Sequence, residues 1–145
     1  LPPGTGDIAI SIGQLVPHAE VLVVTTPQSA AAEVAERSGQ VARQTGQHVV
    51  GVIENMSGLP QADGSIVNVF GTGGGDAVAQ RLDVPLLGQI PLSIALREGG
   101  DAGTPVVLST PDDPAARVIH AIATRLSTRP TSLAGRSLPL QPRLS

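Results

Sequence analysis

The stretch EVLVVTT, residues 20–26, decides the fold class of this chain. Its residues are mostly β-branched, and its apolar residues follow one another without alternation, which is typical of a strand buried on both faces. HVVGVIEN (48–55) is a second stretch of this kind, and VPLLGQIP (84–91) is a shorter third one. Because segments with helical periodicity separate them, the sequence predicts an α/β fold with a mostly parallel sheet flanked by helices.

Four segments around these strands carry apolar residues at helical spacing and begin or end at residues typical of helix termini. They are residues 7–16, a segment entered at Thr26-Pro27 and ending near Gly46, residues 73–82, and a last helix that begins at Asp113-Pro114. The residues predicted to face the core are Ala31, Val34, Ala35, Val41 and Ala42 in the second helix, and Ala115, Val118, Ile119, Ile122 and Leu126 in the last.

Two segments fall outside this alternation of strands and helices. Residues 56–71 read as a hairpin whose tip is formed by residues 62–65, ADGS. Residues 128–145 have no apolar periodicity and are predicted to form a mobile tail. The folded part is therefore expected to span residues 1–127.

Composition excludes several classes of protein. The chain has 145 residues, which is one domain's worth, and a net charge of −3. This charge gives no reason to expect a nucleic acid or an acidic membrane surface as a partner. No apolar run is long enough to cross a membrane. The absence of cysteine excludes disulfides and any thiolate-bound metal or cluster held by this chain alone.

Two glycine-rich stretches could contact phosphate. GTGDIA (4–9) matches the dinucleotide-binding pattern, but the acidic residue that should follow the next strand is missing, which argues against a nicotinamide or flavin site. GTGGG (71–75) precedes a helix, so its backbone N–H groups could hold an anion, or it could simply be a flexible turn. Neither stretch is a Walker A loop, because all nine basic residues are arginine and the motif requires lysine.

Six segments, in the same order, resemble the Mrp/ApbC-type branch of the MinD/ParA P-loop ATPases, whose members act as iron–sulfur cluster carriers. They are LPPGTGD (1–7), VVTTPQ (23–28), GVIENMSG (51–58), FGTGGG (70–75), PLLGQIPL (85–92) and REGGDAGTPVV (97–107). The resemblance is to the carboxyl-terminal half of the family. It implies a partial P-loop NTPase fold that lacks its first strands, its Walker A loop and its Walker B aspartate.

The resemblance also implies two sites. The switch loop, which in the family faces the γ-phosphate of ATP, corresponds to Pro3, Gly4, Thr5, Gly6 and Asp7. The residues that would contact adenine are Asn55, which would read the base, and Pro91, which with residues 89–90 would form a wall of the pocket. Asp7 and Asn55 each have a simpler alternative role without a ligand. Asp7 would then serve as a helix cap, and Asn55 as a turn cap.

The implied activity is that of a cytoplasmic ATPase that uses ATP and Mg²⁺ in the complete protein, forms a homodimer and passes clusters to apo iron–sulfur proteins. This chain alone is expected to be inactive, because hydrolysis needs the Walker lysine and a carboxylate for Mg²⁺. Many members of the family carry a C-x-x-C pair where this chain has GLPQADGSIVNV (58–69), so an iron–sulfur cluster at that site is doubtful.

Two alternatives remain beside the carrier interpretation. One is a ParA/MinD-like nucleotide switch that works through dimerisation without transferring a cluster, which the missing C-x-x-C pair favours. The other is that the sequence is only part of a longer protein. On either interpretation the sheet should have an exposed edge, and the chain by itself should be marginally stable or prone to aggregate.

Overall fold

The structure, a computed structural model, describes residues 6–16 and 19–129. Pro3, Gly4 and Thr5 of the predicted switch loop, and the predicted tail from residue 130 onward, lie outside the described residues. In chain order the elements are α1 (Asp7–Leu15), β1 (Glu20–Thr25), α2 (Ser29–Gln44), β2 (His48–Asn55), β3 (Leu59–Pro60), β4 (Ile66–Val67), α3 (Gly74–Arg81), β5 (Leu86–Ile90), α4 (Ile94–Ala102), α5 (Val106–Ser109) and α6 (Pro114–Ser127).

Three of the strands form a parallel sheet in the order β1-β2-β5, so the predicted α/β architecture is confirmed. β2 lies in the middle, and six of its eight residues are buried. The register pairs Glu54 with Gln89 and Asn55 with Ile90, which brings the carboxyl ends of β2 and β5 side by side. In open parallel sheets this edge is where ligands bind.

The segment between β2 and α3, residues 56–73, is called the hairpin segment below. Its two short strands pair antiparallel, with Leu59 opposite Val67 and Pro60 opposite Ile66. At the tip the Asp63 carboxylate accepts hydrogen bonds from the amide and the hydroxyl of Ser65, at 2.9 and 2.6 Å. The predicted hairpin and its tip are therefore confirmed.

The main core lies between the sheet and the helices α2 and α3. It contains Val23, Val52, Val78 and Leu82, with small residues of α2 packed against them. Leu82 is 1% exposed and lies directly against Gly39, where an added Cβ would come within 2.5 Å of the leucine side chain. A second cluster lies on the other side of the sheet, where Ile122 of α6 packs with Ile53 and Leu87.

The predicted core face of α2 is partly wrong. Ala35 and Ala42 are buried as expected, but the other buried residues are Ala32 and Gly39 rather than Ala31, Val34 and Val41. Val34 is 50% exposed. The smallest residues face inward because they let the helix approach the sheet closely enough for Leu82 to fill the space between them.

The start of α2 also differs from the prediction. Thr26 is not its N-cap and Pro27 is not its first helical residue; the helix begins at Ser29 after Gln28. The backbone of Thr26 and Pro27 instead runs against the first turn of α3, where an added Cβ on Gly74 would come within 2.5 Å of the Thr26 carbonyl oxygen. Contact with α3 therefore overrides the local helix-start signal.

β1 is not buried on both faces, contrary to the prediction. Val23 and Thr25 are buried, whereas Leu22 is 37% and Val24 is 57% exposed. Val24 lies beside Ile53 in the sheet, on the face that α6 covers, but α6 packs on β5 and leaves β1 open. A groove of about 690 Å³ runs along this edge, between β1, α1 and α2.

The last helix is confirmed together with its start. Asp113 is its N-cap, and its Oδ1 accepts a hydrogen bond from the Ala115 amide at 2.8 Å, with Pro114 following in the first turn. Ala115 and Ile122 are buried, Val118 and Leu126 pack against the cluster that contains Ile122, and Ile119 is half-buried. The sequence did not predict α4 or α5, although Ser93 and Gly103 are typical N-cap and C-cap residues for α4.

Candidate functional site at the carboxyl ends of β2 and β5

A groove of about 480 Å³ opens where β2 and β5 end, and it is called the strand-end groove below. Asn55 and Pro91, which the sequence placed in one site, both line it. Most of the remaining lining comes from apolar side chains: Met56 and Leu59 of the hairpin segment, Leu92 before α4, and Ile94 and Leu96 of its first turn. A groove of this kind, apolar with few polar groups, is suited to a flat organic ring.

Among the described residues, the Asn55 side chain makes one hydrogen bond to the protein. Its Oδ1 accepts a hydrogen bond from the Met56 amide at 2.9 Å. Met56 has a φ of 59°, which is unusual for a residue with a side chain, and strain of this kind concentrates at binding sites. The side chain thus caps the turn, as one interpretation of the sequence held, while it also lines the groove.

The wall that contains Pro91 is held by the protein on both sides. The Ser57 amide donates to the Ile90 carbonyl at 3.0 Å, and the Leu92 amide donates to the Gly58 carbonyl at 2.7 Å. These two bonds extend the pairing of β2 with β5 beyond the strands, so the start of the hairpin segment and Pro91 keep a fixed separation.

The first turn of α4 forms the other wall. Ser93 caps this helix by accepting from the Leu96 amide at 3.0 Å, and its hydroxyl donates to Asp113 Oδ2 at 2.9 Å. Arg97 follows one turn later, lines the groove and pairs with Glu98 and Asp101 on the surface. Sequence reasoning missed Arg97, because only the position of α4 brings it to the groove.

Of the predicted switch loop, the structure describes Gly6 and Asp7. Gly6 is the N-cap of α1, and its carbonyl oxygen accepts from the Ala9 and Ile10 amides. Asp7 is the first helical residue and is exposed, so it stabilises the helix through its charge and does not act as the N-cap. Neither residue lines the strand-end groove.

Glu54 is a polar residue of this region that sequence reasoning did not single out. Its side chain is 1% exposed. Oε2 accepts a hydrogen bond from the Gly75 amide at 2.6 Å, and Oε1 accepts one from Gln89 Nε2 at 2.9 Å. The signal in the sequence was an acidic residue inside an otherwise apolar strand, which needs partners when it is buried.

The Glu54 carboxylate also bears on the role of the GTGGG stretch. The Gly75 amide, in the first turn of α3, is already occupied by an anion from the protein itself. An added Cβ on Gly75 would lie 2.7 Å from Glu54 Cβ, so glycine is required for this approach. Gly74 and Gly75 therefore form a close-packed helix entry, which favours the turn interpretation over an external anion at the Gly75 amide.

Metal ligands do not cluster in the part of the chain that the structure describes. No group of three or more His, Cys, Asp or Glu side chains there could hold a metal ion. Within residues 6–16 and 19–129, no helix combines the length and apolar character needed to span a bilayer.

Comparison with known proteins agrees with this architecture. The profile of a ParA-type family described as NUBPL iron-transfer P-loop NTPase matches residues 1–127. A protein of Mycobacterium tuberculosis (strain ATCC 25618 / H37Rv) named iron-sulfur cluster carrier protein is 62% identical over 148 residues, covering 98% of this chain and 39% of that protein. The chain thus spans 39% of the length of this relative.

Two solved structures are similar in fold. A nucleotide-binding protein from Archaeoglobus fulgidus in complex with ADP is 31% identical, with a TM-score of 0.61 over 71% of this chain and 43% of the other. The septum site-determining protein MinD from Pyrococcus horikoshii OT3, complexed with Mg-ADP, is 25% identical, with a TM-score of 0.61 over 83% of this chain and 44% of the other.

Proposed function

Because this chain belongs to the ParA-type family of NUBPL iron-transfer P-loop NTPases, we propose that it supplies the adenine-binding part of an ATPase that carries iron–sulfur clusters. The observation that supports this role is the convergence of Asn55 and Pro91 on one apolar groove at the carboxyl ends of β2 and β5. Those strand ends are where open parallel sheets bind their ligands.

The strand-end groove would take the base by its flat faces and read its edge. Pro91 and the apolar side chains of α4 would cover the faces of the ring. Asn55 would donate from its Nδ2 group to a ring nitrogen, while its Oδ1 stays bonded to the Met56 amide. An amide that is held in this way discriminates between bases by the pattern of donors and acceptors that each presents.

We propose that residues Pro3 to Asp7 act as the switch loop that faces the γ-phosphate. A complete ATPase would bind Mg²⁺ with its nucleotide, and the metal would neutralise charge on the transferred phosphate. This chain contains no lysine, so the Walker lysine must come from residues outside it. Residues 1–127 would then be the carboxyl-terminal part of the P-loop domain, and the isolated chain would not hydrolyse ATP.

The cluster would be the cargo of this protein rather than a fixed cofactor. The chain has no cysteine, and soft iron–sulfur clusters require thiolate ligands. We therefore propose that the hairpin segment holds no cluster by itself, and that any cluster is bound by residues outside this chain. The absence of thiolates favours, as a second candidate function, a nucleotide switch that works through dimerisation without cluster transfer.

The remaining features of the proposal concern the whole protein. It would act in the cytoplasm as a homodimer, with apo iron–sulfur proteins as its clients. The name of the M. tuberculosis relative, iron-sulfur cluster carrier protein, supports this choice of clients.

The test is a measurement of nucleotide affinity on the protein expressed from its complete coding sequence. Calorimetry with ATP and GTP should show that Asn55→Ala weakens ATP binding about tenfold, since a hydrogen bond to the base is lost. The preference for ATP over GTP should fall at the same time, because Asn55 reads the base edge. A variant that was merely less stable would lose both nucleotides equally.

The matched control is Gln40→Ala, which removes a side-chain amide on the exposed surface of α2. It should bind ATP as the wild type does. Unchanged ATP affinity in Asn55→Ala would contradict the proposed site. Anaerobic reconstitution of the same protein separates the two candidate functions, since a stoichiometric cluster supports the carrier and its absence supports the switch.

A further inference from the structure

The two ends of the hairpin segment are held by different kinds of contact. Its first residues are joined to the end of β5 by backbone hydrogen bonds, from Ser57 to Ile90 and from Leu92 to Gly58. Its return end runs into α3, whose first turn is bonded to β2 by a side chain, Glu54. The Glu54 carboxylate therefore adds a polar link at the return end, beside the packing of α3 on α2 and on the sheet.

This carboxylate is well placed to hold the return end. Both oxygens are used, one by the Gly75 amide and one by Gln89, and the side chain is 1% exposed. It lies at the N-terminus of α3, where the helix dipole favours a negative charge. A charge-assisted hydrogen bond that is shielded from water is stronger than the ion pairs on the protein surface.

Glu54 and Asn55 are consecutive residues at the end of β2, so their side chains point to opposite faces of the sheet. Asn55 lines the strand-end groove, and Glu54 faces α3. The neighbouring strand repeats the arrangement, with Ile90 beside Asn55 and Gln89 beside Glu54. One pair of strand ends thus carries the groove on one face and the anchor of the hairpin segment on the other.

We propose that Glu54 is a positioning residue that couples occupation of the strand-end groove to the order of the hairpin segment. This inference rests on the proposed function for its nucleotide. A base bound between Asn55 and Pro91 restricts the ends of β2 and β5. Because the Glu54 carboxylate is bonded to the Gly75 amide, the motion of the first turn of α3 is then reduced as well. The hairpin segment is thereby fixed at both ends.

The experiment follows backbone amide exchange in the protein expressed from its complete coding sequence, with and without ATP and Mg²⁺. Glu54→Gln removes the negative charge, while its amide oxygen can still accept from the Gly75 amide and its N–H group can donate to the side-chain oxygen of a rotated Gln89. Without nucleotide, exchange across residues 70–77 should rise about tenfold, because a charge-assisted bond at the helix start is lost. Exchange in β1 and α2 should stay as in the wild type.

The readout that a purely structural role would leave unchanged is the response to ATP. In the wild type, ATP should protect both residues 90–97, beside the groove, and residues 57–73. In Glu54→Gln, ATP should still protect residues 90–97 and should no longer protect residues 57–73.

Two further variants keep the test decisive. Glu36→Gln is the matched control, since Glu36 contacts the same helix α3 through Arg81, but on the surface, and its loss should leave the exchange of the hairpin segment unchanged. Gln89→Ala removes one of the two partners of Glu54 from an exposed position, and should reproduce part of the effect if Glu54→Gln does not fold.

Three results would overturn the proposal: a uniform rise of exchange over the whole protein, an equal effect of Glu36→Gln, or protection of residues 57–73 by ATP in Glu54→Gln as in the wild type. If ATP fails to protect residues 90–97 even in the wild type, the proposed function is wrong and nucleotide coupling fails with it. The anchoring role of Glu54 is then decided by the exchange of residues 70–77 without nucleotide.

Discussion

The two sides of the parallel sheet differ in how completely the chain covers them. On the side of α2 and α3, Val52, Val78 and Leu82 are at most 1% exposed. On the side of α6, Leu22 and Val24 of β1 remain open although Ile53, one strand away, is covered. The two faces thus differ in cover because α6 packs over β5 and leaves β1 open. Apolar composition alone does not tell which face is closed.

The curated relatives suggest a reason for the open side. The chain spans 39% of the M. tuberculosis relative, and β1 is an edge strand of the described sheet with a groove of about 690 Å³ beside it. We propose that further parts of the P-loop domain cover β1 in the complete protein. Without that cover, we expect the β1 edge to be prone to aggregation.

The largest expected effect is on the closed side. Leu82→Ala should lower the free energy of unfolding by about 3 kcal/mol, because it leaves a cavity over Gly39 that the backbone cannot fill. Urea denaturation of the protein expressed from its complete coding sequence measures this change. Leu108→Ala, at a position that is 79% exposed, is the control and should change stability by no more than about 0.5 kcal/mol. Equal effects of the two variants would contradict the description of the core.

Close packing around Glu54 gives the next largest effect. In Gly75→Ala, the new methyl group would lie 2.7 Å from Glu54 Cβ, so the variant should lose about 2 kcal/mol of stability. Gly100→Ala is the matched control, since Gly100 also lies in a helix, α4, but an added Cβ there meets no atom within 4 Å. This control should gain about 0.5 kcal/mol from the better helix propensity of alanine. If Gly75→Ala is as stable as the wild type, Gly75 and Glu54 are farther apart than the structure places them.

The open side provides a smaller effect that tests whether it is covered in the complete protein. Leu22→Ala in that protein should cost about 1.5 kcal/mol if other parts of the domain bury the side chain. The same denaturation experiment measures it. A loss below about 0.5 kcal/mol, as expected for a surface position, would mean that β1 stays open there as well.

The smallest effect concerns the tip of the hairpin segment. Hydrogen bonds from the Ser65 hydroxyl and amide lower the pKa of Asp63 below its ordinary value of 3.8. Because the pKa is lower in the folded state, the bonds stabilise the turn above pH 3.8, and this contribution is lost as the pH falls through the pKa of the folded state. A carboxyl titration by NMR checks the direction, and Ser65→Ala should raise the pKa of Asp63 toward 3.8. No response to Ser65→Ala would contradict the assignment.

Much of the fold could be predicted because its signals are local. The strands at residues 48–55 and 84–91 were recognised from continuous apolar runs, and the last helix from Asp113 and Pro114 at its start. The first turn of α2 was misplaced, since Thr26 and Pro27 carry a helix-start pattern that contact with Gly74 overrides. α4 was missed because its two adjacent glycines weaken the helical pattern.

The candidate site also has a part that the sequence predicts and a part that only the tertiary structure shows. The sequence by itself predicted Asn55 and Pro91 as site residues, since they stand at the ends of buried strands and within motifs that resemble a known family, and both line the strand-end groove. Only the tertiary structure decided that α4 brings Arg97 to the same groove, that Glu54 bonds to Gly75, and that β1 stays open on one face. These features depend on contacts between segments that are distant in the chain. The packing of the helices on the sheet determines those contacts, and the local sequence pattern does not.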